Sequence, residues 1–190
     1  LADVNGDNSV DITDVIRTIN IIINSGPPAT DLENCAADVN VDGSIDILDI
    51  LVMINIILDD NNRALRSANV LDKIDLIISK NKLEVHSNGP IKGLQFTIQS
   101  NENNIEINEY LNMDIAYNKM GDKHHYLIYA LDGHSINNET FTLFETKRPF
   151  EVVEFIAGNT NHKSVDIRYD YPETSFPSVF ALKKNYPNPF

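Results

Sequence analysis

Apolar positions along the first third of the chain recur every three or four residues, in two separate blocks. Ile12, Val15, Ile16, Ile19 and Ile23 form one stripe; Ile47, Ile50, Leu51, Ile54 and Leu58 form the other. That spacing predicts two helices, each turning one face to a core. Gly26, Pro27 and Pro28 follow the first block and stop its helix. From about Val70 the period drops to two. Leu94, Phe96 and Ile98 alternate with Gln95, Thr97 and Gln99, as Val165, Ile167 and Tyr169 do with Asp166, Arg168 and Asp170. Further β-rich runs fall near 72–79, 82–87, 104–108, 112–118, 124–131, 140–145 and 150–157. Turn signals at Asn88-Gly89-Pro90, Gly121-Asp122, Asp132-Gly133 and Asn137-Asn138 separate them. Short strands with no helical pattern between them predict an antiparallel β-sandwich of jelly-roll type. The fold class is α+β in two modules: helical over 1–62, a linker at 63–69, a sandwich over 70–171 and a proline-rich tail at 172–190.

The two helical blocks are copies of one another. Asp3–Asn24 reads DVNGDNSVDITDVIRTINIIIN and Asp38–Asp59 reads DVNVDGSIDILDILVMINIILD, with 12 of 22 positions identical at an offset of 35. Ahead of each helix, oxygen-bearing side chains stand at loop positions 1, 3, 5, 9 and 12. In loop one these are Asp3, Asn5, Asp7, Asp11 and Asp14, with the Ser9 carbonyl at position 7. In loop two they are Asp38, Asn40, Asp42, Asp46 and Asp49, with the Ser44 carbonyl. Calcium takes six to eight hard oxygen ligands, so a short loop must present such groups at alternating positions. Position 6 needs a left-handed backbone, which Gly43 adopts freely and Asn8 tolerates. The helical hand pattern places Glu at position 12; here both loops carry Asp, which reaches the ion if the exit helix sits closer. A turn that only caps a helix uses the same residue types. Duplication of the whole set is what selects two calcium ions.

Charge separates the modules as sharply as periodicity does. The chain carries a net charge of −13. Residues 1–62 hold 12 acids against Arg17 alone, a balance of −11, while the rest is close to neutral. Two calcium ions would return four of those charges. No basic stripe exists to meet phosphates, so nucleic acid is excluded as a partner. The apolar helices are interrupted by Asn or Asp, which argues against membrane insertion. No signal-peptide pattern opens the chain, and its start two residues before the first loop reads as a processed protein or a fragment. The single cysteine, Cys35, rules out an intramolecular disulfide and is expected as a small buried apolar residue.

Duplicated D-x-N-x-D-x-x-x-D-x-x-D loops, each followed by an apolar helix, resemble a type I dockerin over residues 1–60. The resemblance implies two helices related by a pseudo-two-fold, calcium-dependent folding, and docking on a cohesin β-sandwich. It implies partner contacts at Thr13, Arg17, Asn20, Ile21 and Asn24 in the first repeat, and at Leu48, Val52, Asn55, Ile56 and Asp59 in the second. Periodicity alone makes Leu48, Val52 and Ile56 a second apolar stripe beside the core stripe, where repeat one has polar Thr13 and Arg17. Leu48 and Val52 either pack on the connector near Leu32 and Cys35, or the second helix docks on a sheet. The second arrangement is favoured.

Ile91-Lys92-Gly93-Leu94-Gln95-Phe96, Tyr117-Asn118, Leu127-Ile128-Tyr129 and Asp132-Gly133 resemble a cohesin-like sandwich over roughly 68–170. A carbohydrate-binding module would share that architecture, but the chain has no Trp to form a stacking platform. Tyr110, Tyr117, Tyr126, Tyr129 and Tyr169 are expected as core or sheet fillers. His124 and His125 are adjacent on one strand and face opposite sides. They and His86, His134 and His162 are expected at the surface, and no catalytic set emerges. Asn138-Glu139-Thr140 has the form of a glycosylation sequon.

The tail, Phe180-Ala181-Leu182 and Asn185-Tyr186-Pro187-Asn188-Pro189-Phe190, resembles the start of a type IX secretion sorting domain. With the calcium loops, this implies a secreted or surface-attached protein. The expectation is a non-catalytic, calcium-dependent assembly protein. Its partner is a cohesin-like domain of another copy, giving head-to-tail homopolymers, or of another protein. The alternative is the accessory region of a polysaccharide-degrading enzyme, with the sandwich binding carbohydrate or the dockerin anchoring to a scaffold.

Overall fold

A computed structural model describes residues 1–58, 71–108 and 111–172. The expected linker at 63–69, Asp59, Tyr110 and nearly all of the 172–190 tail lie outside the described residues. Among the described residues, three helices come first: α1 (Ile12–Ile22), α2 (Asp31–Ala37) and α3 (Ile47–Ile57). Both long helices begin at a loop aspartate. Asp11 and Asp46 accept from the main chain two residues on, while Asp14 and Asp49 reach back, so each helix opens with a closed capping box. The short α2 was not expected. Its signal is Thr30-x-x-Glu33, a second kind of capping box in a segment read as a plain connector.

Eight strands follow among the described residues: β1 (Lys73–Ile78), β2 (Lys82–Ser87), β3 (Gly93–Ser100), β4 (Asp114–Met120), β5 (Lys123–Tyr129), β6 (Thr140–Glu145), β7 (Phe150–Gly158) and β8 (Asp166–Asp170). They form two four-stranded sheets, ordered β6-β2-β1-β8 and β4-β5-β3-β7. Pairing is antiparallel throughout except that β8 runs parallel to β1. The 104–108 run is not a strand. Ile105 and Ile107 bury their side chains in the sandwich, but only Ile107 makes a bridge, to Phe144. Alternating burial was readable there; ladder formation was not.

Phe96 ties the two sheets together. It is fully buried, and its ring stacks on Tyr126 at 5.0 Å, Phe155 at 5.6 Å and Phe144 of the opposite sheet at 6.1 Å. Phe96→Ala should therefore lower unfolding stability by about 3–5 kcal/mol. Urea denaturation checks this; a loss below about 1 kcal/mol would mean the sheets are held elsewhere.

Candidate metal loops and helix–sheet interface

The two loops follow the same path, with small differences in their hydrogen bonds. In loop one, Asp3 accepts from the Gly6, Asp7 and Asn8 amides, at 2.9–3.1 Å. In loop two, Asp38 accepts from Asp42 and Gly43, each at 3.1 Å. Asn5 and Asn40 lean on Asp7 and Asp42, which in turn accept from the Ser9 and Ser44 amides. Asn8 and Gly43 take the expected positive φ at position 6, 69° and 88°. At position 12, Asp14 and Asp49 are fully buried. Asp14 accepts from Val4, Asn5 and Asp11, and Asp49 from Val39, Asn40 and Asp46, all at 2.7–3.1 Å. Burial raises the Asp49 carboxyl and pushes Asp46 up to about 6, with the charges of Asp49, Asp42 and Glu154 adding to it.

Among the described residues, no three acidic, histidine or cysteine side chains form a closed metal cage; the loop carboxylates turn to main-chain amides. The donor chemistry nonetheless fits a hard cation. Four carboxylates crowd each loop, one of them fully buried, and their hydrogen-bond partners are neutral amides and a threonine hydroxyl rather than bases. Position 4 differs between the loops. Gly6 has φ 74°, whereas Val41 holds φ 59° with a β-branched side chain, a conformation that costs roughly 1–2 kcal/mol.

The outer face of the β4-β5-β3-β7 sheet carries the helices. Ile47, Leu48, Leu51 and Ile54 of α3 share one buried cluster with Leu127, packed about by Ala116, Tyr129 and Ile156 of the sheet. Two glycines make room. Gly93 and Gly158 are register partners on β3 and β7. A Cβ on Gly93 would lie 2.9 Å from Ile47, and one on Gly158 would lie 2.4 Å from Leu51 and 3.2 Å from Leu48. Neither glycine has a positive φ, so their small size, not their flexibility, is what the site uses. Two polar contacts join the helical unit to the same sheet face, one beside the notch on β3 and one on β4. Gln95 Oε1 accepts from the Ile47 amide at 3.0 Å, satisfying an orphan donor at the start of α3. Asn118 Nδ2 donates to the Ile23 and Asn24 carbonyls, at 2.8 and 3.0 Å, just past the end of α1. Between α1 and the sheet lies a cleft of about 170 Å³, lined in part by Asn24, Gln95, His125 and Glu154.

Several expectations change here. The favoured arrangement, the second helix on a sheet, is what the structure contains, but its contact stripe is shifted. Ile47 and Leu51, assigned to the internal core stripe, join Leu48 against the glycines. Val52 and Asn55 are only half-buried, and Ile56 is 47% exposed. The connector does not cover Leu48: Leu32 is 83% exposed, and Cys35, expected to be buried, is exposed as well. Both sit on the outer side of α2, because α2 is oriented by Glu33, which pairs with Arg17 at 2.7 Å. Ile12 and Ile16 of repeat one are also exposed. His124 is not at the surface; it is fully buried, within 3.0 Å of Tyr117 Oη and 3.3 Å of the Ser100 carbonyl, and burial lowers its pKa. Tyr126 fills the core and Tyr117 stacks on it, whereas Tyr169 is exposed on β8. Gln95, Asn118 and the two glycines were not singled out as site residues. The signal available for this face was the apolar run from Tyr126 to Ala130, which buries both sides of β5.

Residues 1–58 match the family model described as the dockerin type I domain. Among solved structures, the chain is similar to a type I cohesin–dockerin complex from Clostridium thermocellum, at 11% identity and a TM-score of 0.36. That match covers 57% of this chain and 94% of the other. It is also similar to a non-cellulosomal cohesin from Archaeoglobus fulgidus, at 12% identity, a TM-score of 0.29, and 54% and 86% coverage. A third similar structure is the sixth cohesin of Acetivibrio cellulolyticus scaffoldin B in complex with a Cel5 dockerin, at 12% identity, a TM-score of 0.29, and 53% and 94% coverage. No curated protein matches the chain.

Two measurements check the local energetics. Val41→Gly should raise unfolding stability by about 1 kcal/mol by removing the left-handed strain; a thermal melt that falls instead would show that the valine side chain is needed. The Arg17 guanidinium and the Thr30 groups hold Glu33 at about 2, down from 4.5. A depressed carboxyl contributes stability above its unfolded value and loses it as the pH falls through the folded one. Glu33→Gln should therefore shrink the stability drop between pH 4.5 and about 2, and an unchanged acid limb would contradict the pair.

Proposed function

We propose that this chain is a non-catalytic, secreted assembly module whose 1–58 unit, folded on two calcium ions, docks on a cohesin-like sheet. The observation that carries the reading is the notch at Gly93 and Gly158, filled by Ile47, Leu48 and Leu51. The dockerin match over 1–58 supports it independently. Asp3, Asn5, Asp7, Asp11 and Asp14, with the Ser9 carbonyl, would hold one ion. Asp38, Asn40, Asp42, Asp46 and Asp49, with the Ser44 carbonyl, would hold the other. Bound calcium supplies the positive charge that lets four carboxylates share each loop. The chain's own residues do the rest. The capping boxes start α1 and α3 from the loops, so ordering a loop orders its helix. The secreted location accords with loops of this ligand type, which in extracellular modules bind calcium at about 10⁻⁴–10⁻³ M. Made between copies, the same helix–sheet contact is heterologous and would propagate head to tail unless the rotation closes a ring.

EDTA should remove much of the helical signal in far-UV circular dichroism and leave the strand signal. It should also raise binding of an apolar dye to the uncovered sheet. Leu51→Asp in calcium should raise dye binding while keeping the helices. A chain whose helices and dye binding ignore EDTA would overturn the calcium-dependent reading.

A further inference from the structure

Resting on that docking reading, we infer that the seating of α3 on the chain's own sheet is a self-capping contact, which must open before that sheet can accept the 1–58 unit of a second copy. Among the described residues, the two-glycine notch at Gly93 and Gly158 is full. With Leu51 lying where a Gly158 Cβ would fall, no second helix can enter. Polar contacts add to the cap: Gln95 accepts from the Ile47 amide beside the notch, and Asn118, on β4, donates to the Ile23 and Asn24 carbonyls past the end of α1. A partner must replace those hydrogen bonds as well as the apolar contacts. It must also compete with a tether: only residues 59–70 separate Leu58 from Leu71 in sequence. A short tether gives an effective concentration in the millimolar range, so an equal partner at about 1 µM is disfavoured roughly a thousandfold.

The occupant is a second copy because plug and notch are carried by the same chain in equal number. Ile47, Leu48 and Leu51 of one copy fit Gly93 and Gly158 of another by the contacts already formed within one. Opening the cap turns a closed monomer into a chain with one free plug and one free notch.

Complementary full-length variants test this. Gly158→Arg blocks the notch and leaves the plug; its backbone is not left-handed, so the arginine brings no φ strain. Leu51→Asp spoils the plug and leaves the notch. In calcium, with folding of each confirmed by circular dichroism, the two should form a 1:1 complex by size-exclusion chromatography with light scattering. Wild type should bind Gly158→Arg at least about a hundredfold more weakly than Leu51→Asp does. Equal binding of Gly158→Arg by wild type overturns the cap while leaving docking intact. No complex between two folded variants overturns the docking reading itself. Wild type alone supplies a readout that needs no variant. Exchange of the α3 amides should be identical at about 1 and 100 µM, because a contact within one chain does not dissociate on dilution. Faster exchange on dilution would place the contact between chains.

Discussion

Helix α3 is apolar on nearly every side, and a surface helix cannot be. Its sequence, ILDILVMINII, offers only Asp49 and Asn55 as polar groups, and Asp49 is consumed by the loop. One side, with Ile50 and Met53 fully buried, packs within the helical unit, where Thr18 of α1 lies 3.5 Å from Met53 Sδ. The other side needs a second apolar surface. The β4-β5-β3-β7 sheet supplies it through Leu127, Ala116, Tyr129 and Ile156, and Gly93 and Gly158 let the helix come close. Full burial of a leucine or isoleucine contributes about 1.5–3 kcal/mol. Three such side chains at one notch are enough to hold the helical unit to the sandwich.

Divergence between the repeats decides which helix docks. The loops keep the same ligand types and the same buried aspartate at position 12 with its three amide donors, so that part of the loop does not distinguish them. The helices do. Leu48 stands where repeat one has Thr13, and Val52 stands where it has Arg17. Arg17 is drawn to Glu33 of α2, and the start of α1 leaves Ile12 and Ile16 exposed. The helix with Thr13 and Arg17 orients the connector, and the one with Leu48 and Val52 meets the sheet.

Periodicity in the sequence reached the strands almost to the residue, because alternation of burial and ladder formation coincide wherever turns bound a run. It failed at 104–108, where side chains are buried without a ladder. The loop ligands were legible because they are local and repeated. The docking stripe was legible only in part. A helix that is apolar all round carries no mark of which side meets which neighbour, so Ile47 and Leu51 were assigned inward and Ile56 outward to a partner. The notch was illegible: nothing in Gly93 or Gly158 separates a turn glycine from one that makes room for a leucine across a domain contact. Cys35 was misplaced because the helix that carries it was unexpected.

The central claim, that α3 seats in a two-glycine notch of its own sheet, is most directly tested by nuclear Overhauser contacts in the calcium-loaded full chain. Contacts from Leu51 methyls to Gly158 and from Ile47 methyls to Gly93 should be present, survive dilution and vanish with EDTA. Their absence from a chain whose helices and strands are both folded would contradict the account.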